Sequence, residues 1–358
     1  MKLEINLRDM ALGGMVLLTL FSIFNAATLV STRATAIQKV AEIKETLRPA
    51  DLKAYILDPN CQDCFDIYSE IDAFKTENVN ITQEYVMKVD SKEAQDMISK
   101  YDIKRLPALV LKGETDKENF TGFKKSKDAL VYTGVTPPFI DANSMKERGV
   151  VDIFFIKDNA CTICPDLSGI PTGLENLGIK TKLQTLDFAS SEGKALVAKE
   201  GLQKVPVVLI SKEASLYSEW QKVQTKENTD YFLMDSQGPY VNTSNGKLRG
   251  SVKVVFLNDT ECLDCYDVFV HKKILPNFAV SEYNESVVST QSEEGKTLIK
   301  KYNITKVPTI LISGDIEVYP ALTQVWQSVG TVESDGTYVF REISAMGSVK
   351  FTDLGASP

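Results

Sequence analysis

The sequence predicts an α/β protein in which three tandem units, each a mixed sheet flanked by helices, follow an N-terminal transmembrane helix. Three observations predict this organisation. An uncharged apolar segment lies close to the start of the chain. Behind it, a pattern with a period of about 100 residues occurs three times. Within each period, short β-rich runs alternate with helical patterns, which is typical of a sheet covered by helices on both faces.

The uncharged segment predicts a membrane anchor. It spans the 23 residues from Met10 to Thr32 and follows a short tail, residues 1–9. As a helix it would be about 34 Å long, enough to cross a hydrocarbon core of roughly 30 Å. A cleaved signal peptide usually has a shorter apolar core, so we predict an uncleaved signal anchor and keep the cleaved signal as the alternative. Residues 33–50 continue the helical pattern and are predicted to form a stalk, so the lipid bilayer is an expected partner.

The orientation of the anchor is predicted from glycosylation sequons, because basic residues flank the anchor on both sides. Asn-x-Ser/Thr sequons are acceptors only outside the cytoplasm. Six of them occur, beginning at Asn80, Asn119, Asn242, Asn258, Asn284 and Asn303. We therefore predict a single-pass membrane protein with its units on the exterior side. A chance set of sequons on a Ser/Thr-rich surface is the alternative.

Composition supports packed cores and argues against some functions. Hydrophobic residues make up 43% of the 358 residues, enough for two or three folded domains. The net charge of −8, with no basic stripe, argues against nucleic acid as a partner. The one histidine, His271, removes most histidine-based metal sites and Cys–His nucleophiles from consideration. We expect His271 to be a core or surface side chain.

All six cysteines belong to Cys-x-x-Cys pairs, at lags of 100 and 101 residues. The pairs are Cys61–Cys64, Cys161–Cys164 and Cys262–Cys265. Two thiols at this spacing can form and reopen a small disulfide ring, or they can bind a metal ion. Structural zinc usually needs four strong ligands and each unit supplies two thiolates, so metal binding is the less favoured alternative. We predict dithiol chemistry with no metal and no organic cofactor.

The same elements recur in order around each pair. A strand-like run comes first, at Lys53–Leu57, Asp152–Ile156 and Lys253–Leu257. A helical pattern follows at residues 91–103, 190–202 and 292–304. Next comes a basic-apolar-proline step that leads into a β-rich run, with its proline at Pro107, Pro206 and Pro308. An aromatic residue at position 120, 220 or 326 is predicted to anchor a further helix. Residues 136–149 and 236–250 are predicted to be irregular linkers.

A strand that leads into a helix opening with Cys-x-x-Cys, and a proline 42 or 43 residues after the second cysteine, resemble the thioredoxin fold. The resemblance covers residues 51–358 and implies thioredoxin-like domains at 51–149, 150–250 and 251–358. It also implies that the three prolines follow cis peptide bonds and face the redox pairs. The sequence departs from the Trp-Cys-Gly-Pro-Cys-Lys pattern typical of thioredoxins, and no pair encloses a proline.

The first cysteine of each pair is predicted to be the nucleophile, because a helix N-terminus stabilises a thiolate. These are Cys61, Cys161 and Cys262. The second cysteines, Cys64, Cys164 and Cys265, would resolve the mixed disulfide. Acidic residues lie inside the first and third pairs and oppose ionisation of a thiol, so Cys161 is predicted to be the most reactive.

The sequence thus predicts a membrane-anchored protein-disulfide oxidoreductase. Its expected partners are protein thiols and disulfides, or a membrane reductase or quinone-linked oxidase that exchanges electrons with it. Two alternatives stay open: a cell-surface structural or interaction protein with inert disulfides, and a thioredoxin-like protein that binds metal.

Overall fold

The computed structural model describes residues 7–117 and 120–355. Most of the predicted N-terminal tail and the sequon at Asn119 lie outside the described residues. The chain divides into two compact units, Met1–Glu147 and Arg148–Pro358. The first contains one five-stranded sheet and the second contains two.

A single long helix, α1 (Leu7–Leu47), begins the described chain. From Met10 onward it is long and apolar enough to cross a membrane, a test that a signal sequence would also meet. Its large apolar side chains are exposed; Leu17 and Phe21, for example, are about two-thirds exposed. Such a continuous apolar surface is unfavourable in water and is typical of segments that contact lipid or another protein.

The first unit continues with a mixed sheet of five strands. Its elements are β1 (Ala50–Asp58), α2 (Ile67–Phe74), β2 (Val79–Lys88), α3 (Lys92–Tyr101), β3 (Arg105–Leu106), β4 (Ala108–Gly113), β5 (Phe123–Ser126), β6 (Ala129–Tyr132), β7 (Phe139–Asp141) and β8 (Glu147–Arg148). The strand order is β2-β1-β4-β6-β5. Strand β1 pairs in parallel with β2 and antiparallel with β4.

The second unit repeats this arrangement twice. The elements of its first half are β9 (Val151–Lys157), α4 (Ile170–Glu175), β10 (Thr181–Asp187), α5 (Ser191–Glu200), β11 (Lys204–Val205), β12 (Val207–Ser211), β13 (Lys226–Glu227), β14 (Tyr231–Asp235), β15 (Tyr240–Asn242) and β16 (Leu248–Arg249). The elements of its second half are β17 (Val252–Asn258), α6 (His271–Ile274), β18 (Asn284–Ser289), α7 (Glu293–Lys301), β19 (Lys306–Val307), β20 (Thr309–Gly314), α8 (Pro320–Val329), β21 (Gly330–Val332), β22 (Tyr338–Phe340) and β23 (Thr352–Asp353). The sheet orders are β10-β9-β12-β14-β13 and β18-β17-β20-β22-β21. All three sheets therefore have the same topology.

Helices cover both faces of the first sheet, as the sequence predicts. Because successive side chains of a strand point to opposite faces, one strand contributes to two cores. In β1, Ile56 packs with Ile71 of α2, whereas Leu57 belongs to a second cluster with Met97 of α3. This arrangement confirms the α/β class with a mixed sheet between helices.

The aromatic residues predicted to anchor a further helix are buried in all three repeats. Phe120 and Trp220 are each 7% exposed and Trp326 is 3% exposed. Only Trp326 lies on an α-helix, α8; Trp220 lies in a 3-10 turn and Phe120 lies outside any helix. A buried aromatic residue is thus common to the three repeats, whereas the secondary structure in which it lies differs.

The segments predicted to be irregular linkers contain paired strands. Each sheet is followed by a segment whose strand pairs with the two residues ahead of the proline: β7 with β3, β15 with β11 and β23 with β19. We call residues 139–148, 240–249 and 350–354 the return segments. In the first two return segments, Asn143, Asn245 and Gly246 indicate loops in the sequence, but such residues also suit the tight turns of hairpins. The linker prediction was wrong for this reason.

Candidate functional site

Each Cys-x-x-Cys pair forms a disulfide just beyond the carboxyl end of a central strand. These strands are β1, β9 and β17, and the pairs bond within themselves, Cys61–Cys64, Cys161–Cys164 and Cys262–Cys265. The Cα atoms within each pair are 5.4–5.5 Å apart. All six cysteines are partly buried. The candidate sites therefore occupy the same place on three equivalent sheets.

The cysteines lie in irregular segments, with the second cysteine of each pair in a bend, and not at the start of a helix. In the first unit, α2 begins at Ile67 and its N-cap is Asp66, whose Oδ1 accepts the N–H groups of Tyr68 (3.0 Å) and Ser69 (3.2 Å). Asp166 and Asp267, at the matching positions, accept one backbone N–H each. The prediction that each first cysteine lies at a helix N-terminus was wrong, because these aspartates cap the backbone N–H groups further along the chain. Any stabilisation of a thiolate by the helix dipole is correspondingly weaker.

The predicted prolines lie beside the disulfides. The peptide bonds that precede Pro107, Pro206 and Pro308 are cis. Pro107 lines the same open depression, of about 620 Å³, as Cys61 and Cys64. The second pair packs against a cluster that contains Val205 and Val207, the neighbours of Pro206. In the third repeat, the Pro308 carbonyl accepts a hydrogen bond of 2.9 Å from the hydroxyl of Tyr266, the residue after Cys265.

The return segments reach the first and third disulfides, which the sequence analysis did not anticipate. Phe65 N–H, next to Cys64, donates at 2.8 Å to the carbonyl of Pro138, the residue just before the first return segment. The Cys61 Sγ lies 4.0 Å from Oε1 of Glu147, at the end of the first return segment. In the third repeat, Tyr266 N–H donates to the Lys350 carbonyl at 3.1 Å. The sequence carried little signal for these contacts, because the interval from the first cysteine to the start of the return segment is 78, 79 and 88 residues in the three repeats.

A buried carboxylate lies beside the third disulfide. Asp259 is 7% exposed. The Thr352 hydroxyl, from the third return segment, donates to Asp259 Oδ2 at 2.6 Å and lies 3.7 Å from the Cys265 Sγ. The Glu261 N–H donates to Asp259 Oδ1 at 3.2 Å. Thr352 therefore links Cys265 to this carboxylate.

The second disulfide has a different electrostatic surrounding. Among the described residues, a carboxylate lies within 4.8 Å of both sulfurs at the first and third pairs but not at the second. Sheet register also aligns the ends of the central strands, because Leu57, Ile156 and Leu257 pair with the residues that follow the three prolines. The next residue is Asp58 in the first repeat, Lys157 in the second and Asn258 in the third. The strand ends therefore differ in charge among the repeats, whereas an aspartate lies three residues before the first cysteine in each of them: Asp58, Asp158 and Asp259.

His271 is a core residue of the third repeat. It is 3% exposed, and its ring lies 4.9 Å from that of Phe340 and 6.1 Å from that of Tyr266, centroid to centroid. Within the described chain its Nε2 has no hydrogen-bond partner. Burial lowers the pKa of His271 from 6.5 to about 4, so the ring is neutral at pH 7.

We expect His271 to make the third repeat less stable in mild acid. Between pH 6.5 and 4 the unfolded chain binds a proton at this residue and the folded chain does not, so stability falls as the pH falls through that window. The shift corresponds to a loss of up to about 3 kcal/mol at the acid end. Urea unfolding, followed by Trp326 fluorescence in a Trp220→Phe background, measures this change. His271→Gln should remove the excess pH dependence, and an equal slope in both chains would contradict the assignment.

Comparisons with known proteins do not identify a family. No protein-family model and no curated protein matches the chain. Similar solved structures include an N-terminal domain of the alkylhydroperoxide reductase AhpF from Enterococcus faecalis, with 17% identity and a TM-score of 0.16 over 49% of this chain and 89% of that one. ERdj5 matches with 12% identity and a TM-score of 0.15 over 80% and 42% of the two chains. Human ERp44 matches with 10% identity and a TM-score of 0.15 over 79% and 85%. These similarities are too distant to assign an activity.

Proposed function

We propose that the chain is a membrane-anchored thiol–disulfide oxidoreductase with three thioredoxin-like domains, each carrying one dithiol. One observation carries the proposal: three sheets of identical topology each place a Cys-x-x-Cys disulfide beside a cis-proline. A disulfide between cysteines so close in sequence restricts the unfolded chain little, so stabilisation alone gives weak reason for three of them. Reversible exchange accounts better for their repeated placement.

The exchange proceeds through two thiolate attacks. A thiolate of a partner protein attacks the Sγ of the first cysteine, for example Cys61, and the Cys61–Cys64 bond breaks. Cys64 leaves as a thiolate that takes up a proton, and Cys61 is then joined to the partner. A second thiol of the partner, once deprotonated, attacks its own sulfur in this mixed disulfide and releases Cys61. The partner is oxidised by two electrons and the chain is reduced to a dithiol; the reverse sequence reduces a partner disulfide.

The N-terminal helix supports the membrane part of this proposal through its length and its exposed apolar surface. In this arrangement α1 holds the domains at the membrane, and the sequons favour the exterior side, where protein disulfides persist. The expected substrates are exterior protein thiols or disulfides, or the dithiol of a membrane redox partner.

We expect Cys64→Ser, Cys164→Ser and Cys265→Ser variants to accumulate mixed disulfides. In the direction that reduces a partner disulfide, each change removes the thiol that would attack the mixed disulfide and release the partner, so the first cysteine stays bound to it. The measurement is a reductant-sensitive shift on gels of the full chain expressed in its membrane, followed by identification of the trapped proteins.

The matched controls replace both cysteines of the same pair by serine. They should trap nothing, because no nucleophile remains in that pair. If none of the resolving-cysteine variants traps a protein, and the three disulfides resist reduction by a dithiol, the proposal fails and the inert-disulfide alternative is favoured.

A further inference from the structure

We propose that the third Cys-x-x-Cys pair, once reduced, binds a zinc ion with Asp259 as the third protein ligand. The site would alternate between a disulfide and a Cys₂Asp zinc centre. This inference goes beyond disulfide exchange and does not depend on it, because it concerns the equilibrium affinity of the reduced chain for zinc.

The ligand atoms are already close together. One carboxylate oxygen of Asp259 and the sulfurs of Cys262 and Cys265 lie within 4.8 Å of one another. With Zn–S near 2.3 Å and Zn–O near 2.0 Å, a tetrahedral site separates sulfur from oxygen by about 3.5 Å and the two sulfurs by about 3.8 Å. Breaking the disulfide lets the sulfurs move apart to this separation. The site then requires shifts of side chains and no rearrangement of the sheet.

The charge on Asp259 favours a cation at this place. The carboxylate is 7% exposed. Its hydrogen-bond donors among the described residues are neutral: the hydroxyls of Thr352 and Thr290 and the N–H of Glu261. Neutral donors orient a buried carboxylate but leave its net charge uncompensated, which is costly in a low-dielectric surrounding. A divalent ion between this carboxylate and two thiolates would compensate it.

Thr352 holds the carboxylate in position for the ion. It lies on β23, whose pairing with β19 places it opposite Val307. Its hydroxyl donates to Oδ2 of Asp259 at 2.6 Å. Hydrogen bonds of this kind from outside the coordination sphere orient metal ligands, and their loss typically lowers metal affinity about 10- to 100-fold. The third return segment would therefore be part of the metal site.

The three pairs should differ in their affinity for zinc. The first pair has a carboxylate within the same distance, but it belongs to Glu147, which is exposed and whose ordering on zinc would cost conformational entropy. The second pair has no such carboxylate among the described residues. We expect the affinity to be highest at the third pair, lower at the first and lowest at the second.

The chemical steps balance with a dithiol as the reductant. Two electrons and two protons from a partner dithiol convert the Cys262–Cys265 disulfide into two thiols, and the partner becomes a disulfide. Zinc then replaces the two thiol protons, which are released to solvent, and a water molecule fills the fourth position. A partner disulfide that accepts two electrons from the thiolates, and becomes a dithiol with protons from solvent, restores the Cys262–Cys265 disulfide; this removes two of the three protein ligands and frees the ion.

The test compares full-length chains in detergent that keep one pair each, with the other four cysteines changed to serine. Each chain is reduced with a phosphine, and zinc affinity is measured by competition with a chromophoric chelator. Cobalt(II) serves as a spectroscopic substitute, because thiolate ligation gives a charge-transfer absorption. We expect the chain with the third pair to bind one zinc at least about tenfold more tightly than the chain with the second pair. Oxidation of the chain should abolish the difference.

Two substitutions in the chain with the third pair test the ligand set. Asp259→Asn should lower zinc affinity at least about tenfold, and Thr352→Val should lower it to a smaller extent. Circular dichroism of each variant checks folding. If Asp259→Asn does not fold, the zinc affinity of Thr352→Val and the comparison between the pairs test the ligand set in its place. Equal affinity at the second and third pairs would overturn the proposal, as would full affinity in a folded Asp259→Asn chain. Trapping of mixed disulfides tests exchange separately, so either proposal can fail alone.

Discussion

Cys161 is expected to react with iodoacetamide about three to ten times faster than Cys61 or Cys262 at pH 7, when each is studied in a reduced chain that keeps one pair. Nearby negative charge disfavours a thiolate, and only Cys161 has no carboxylate within 4.8 Å of both sulfurs of its pair in the described chain. The first cysteine of each pair is partly buried, so burial gives no reason to expect a difference in reactivity among the three.

The size of this effect follows from two opposing terms. A carboxylate about 4 Å away can raise a thiol pKa by roughly one unit, which lowers the thiolate fraction about tenfold. A more basic thiolate is also the better nucleophile, and with a Brønsted slope of about 0.4–0.5 this restores about threefold. The net difference in rate is about threefold for each unit of thiol pKa.

A matched substitution identifies the cause. Glu147→Gln should raise the alkylation rate of Cys61 towards that of Cys161, because it removes the charge 4.0 Å from the Cys61 Sγ and keeps the shape. The pH profile of alkylation should move to lower pH in the same variant. If Cys161 is the slowest of the three, the electrostatic explanation is wrong.

Gly295→Ala is expected to destabilise the third repeat by about 2 kcal/mol. Helix propensity alone would predict a gain of about 1 kcal/mol, since alanine is the better helix former. However, a Cβ atom on Gly295 would collide with the backbone carbonyl of Ser289. The Gly295 N–H also donates to the hydroxyl of the N-cap residue Ser292 at 3.0 Å, so the first turn of α7 cannot easily move away from Ser289. We therefore expect the steric clash to outweigh the gain in helix propensity.

The first repeat supplies the control for this substitution. Ala94 occupies the position that matches Gly295 and is fully buried. The loop before its helix lies further from the central strand: Val89 N is 3.4 Å from the Asp58 carbonyl, compared with 2.9 Å between Thr290 N and the Asn258 carbonyl. Ala94→Gly should cost about 1 kcal/mol, mainly through helix propensity. Urea unfolding followed by Trp326 fluorescence measures Gly295→Ala, and a stabilised variant would contradict the steric argument.

Local patterns predicted the strands and the helices that lie between them. The run Asp152–Ile156 became β9, and the pattern at residues 292–304 became α7, because alternation and helical spacing depend on neighbouring residues. The start of the first helix was predicted too early, at Cys61 and not at Ile67. The sequence does not show that the chain is irregular through Cys61–Cys64 before Asp66 caps α2.

Contacts between distant parts of the chain were beyond sequence reasoning. Glu147 lies 86 residues from Cys61, and Thr352 lies 87 residues from Cys265. Their approach depends on the pairing of β3 with β7 and of β19 with β23. Two-residue strands carry too little pattern to be recognised, so these neighbours of the disulfides were missed while the cysteines and prolines were found.

The return segments also determine how another protein can approach the disulfides. They use the backbone hydrogen-bonding groups on one side of β3, β11 and β19, so an extended peptide cannot pair with that side of these strands without displacing them. Recognition would then depend on side chains around the disulfide, such as Leu263, which is 95% exposed between Cys262 and Cys265. Under the proposed exchange function, this side of the site would suit partners that present a cysteine on a folded face more than partners that are unfolded chains.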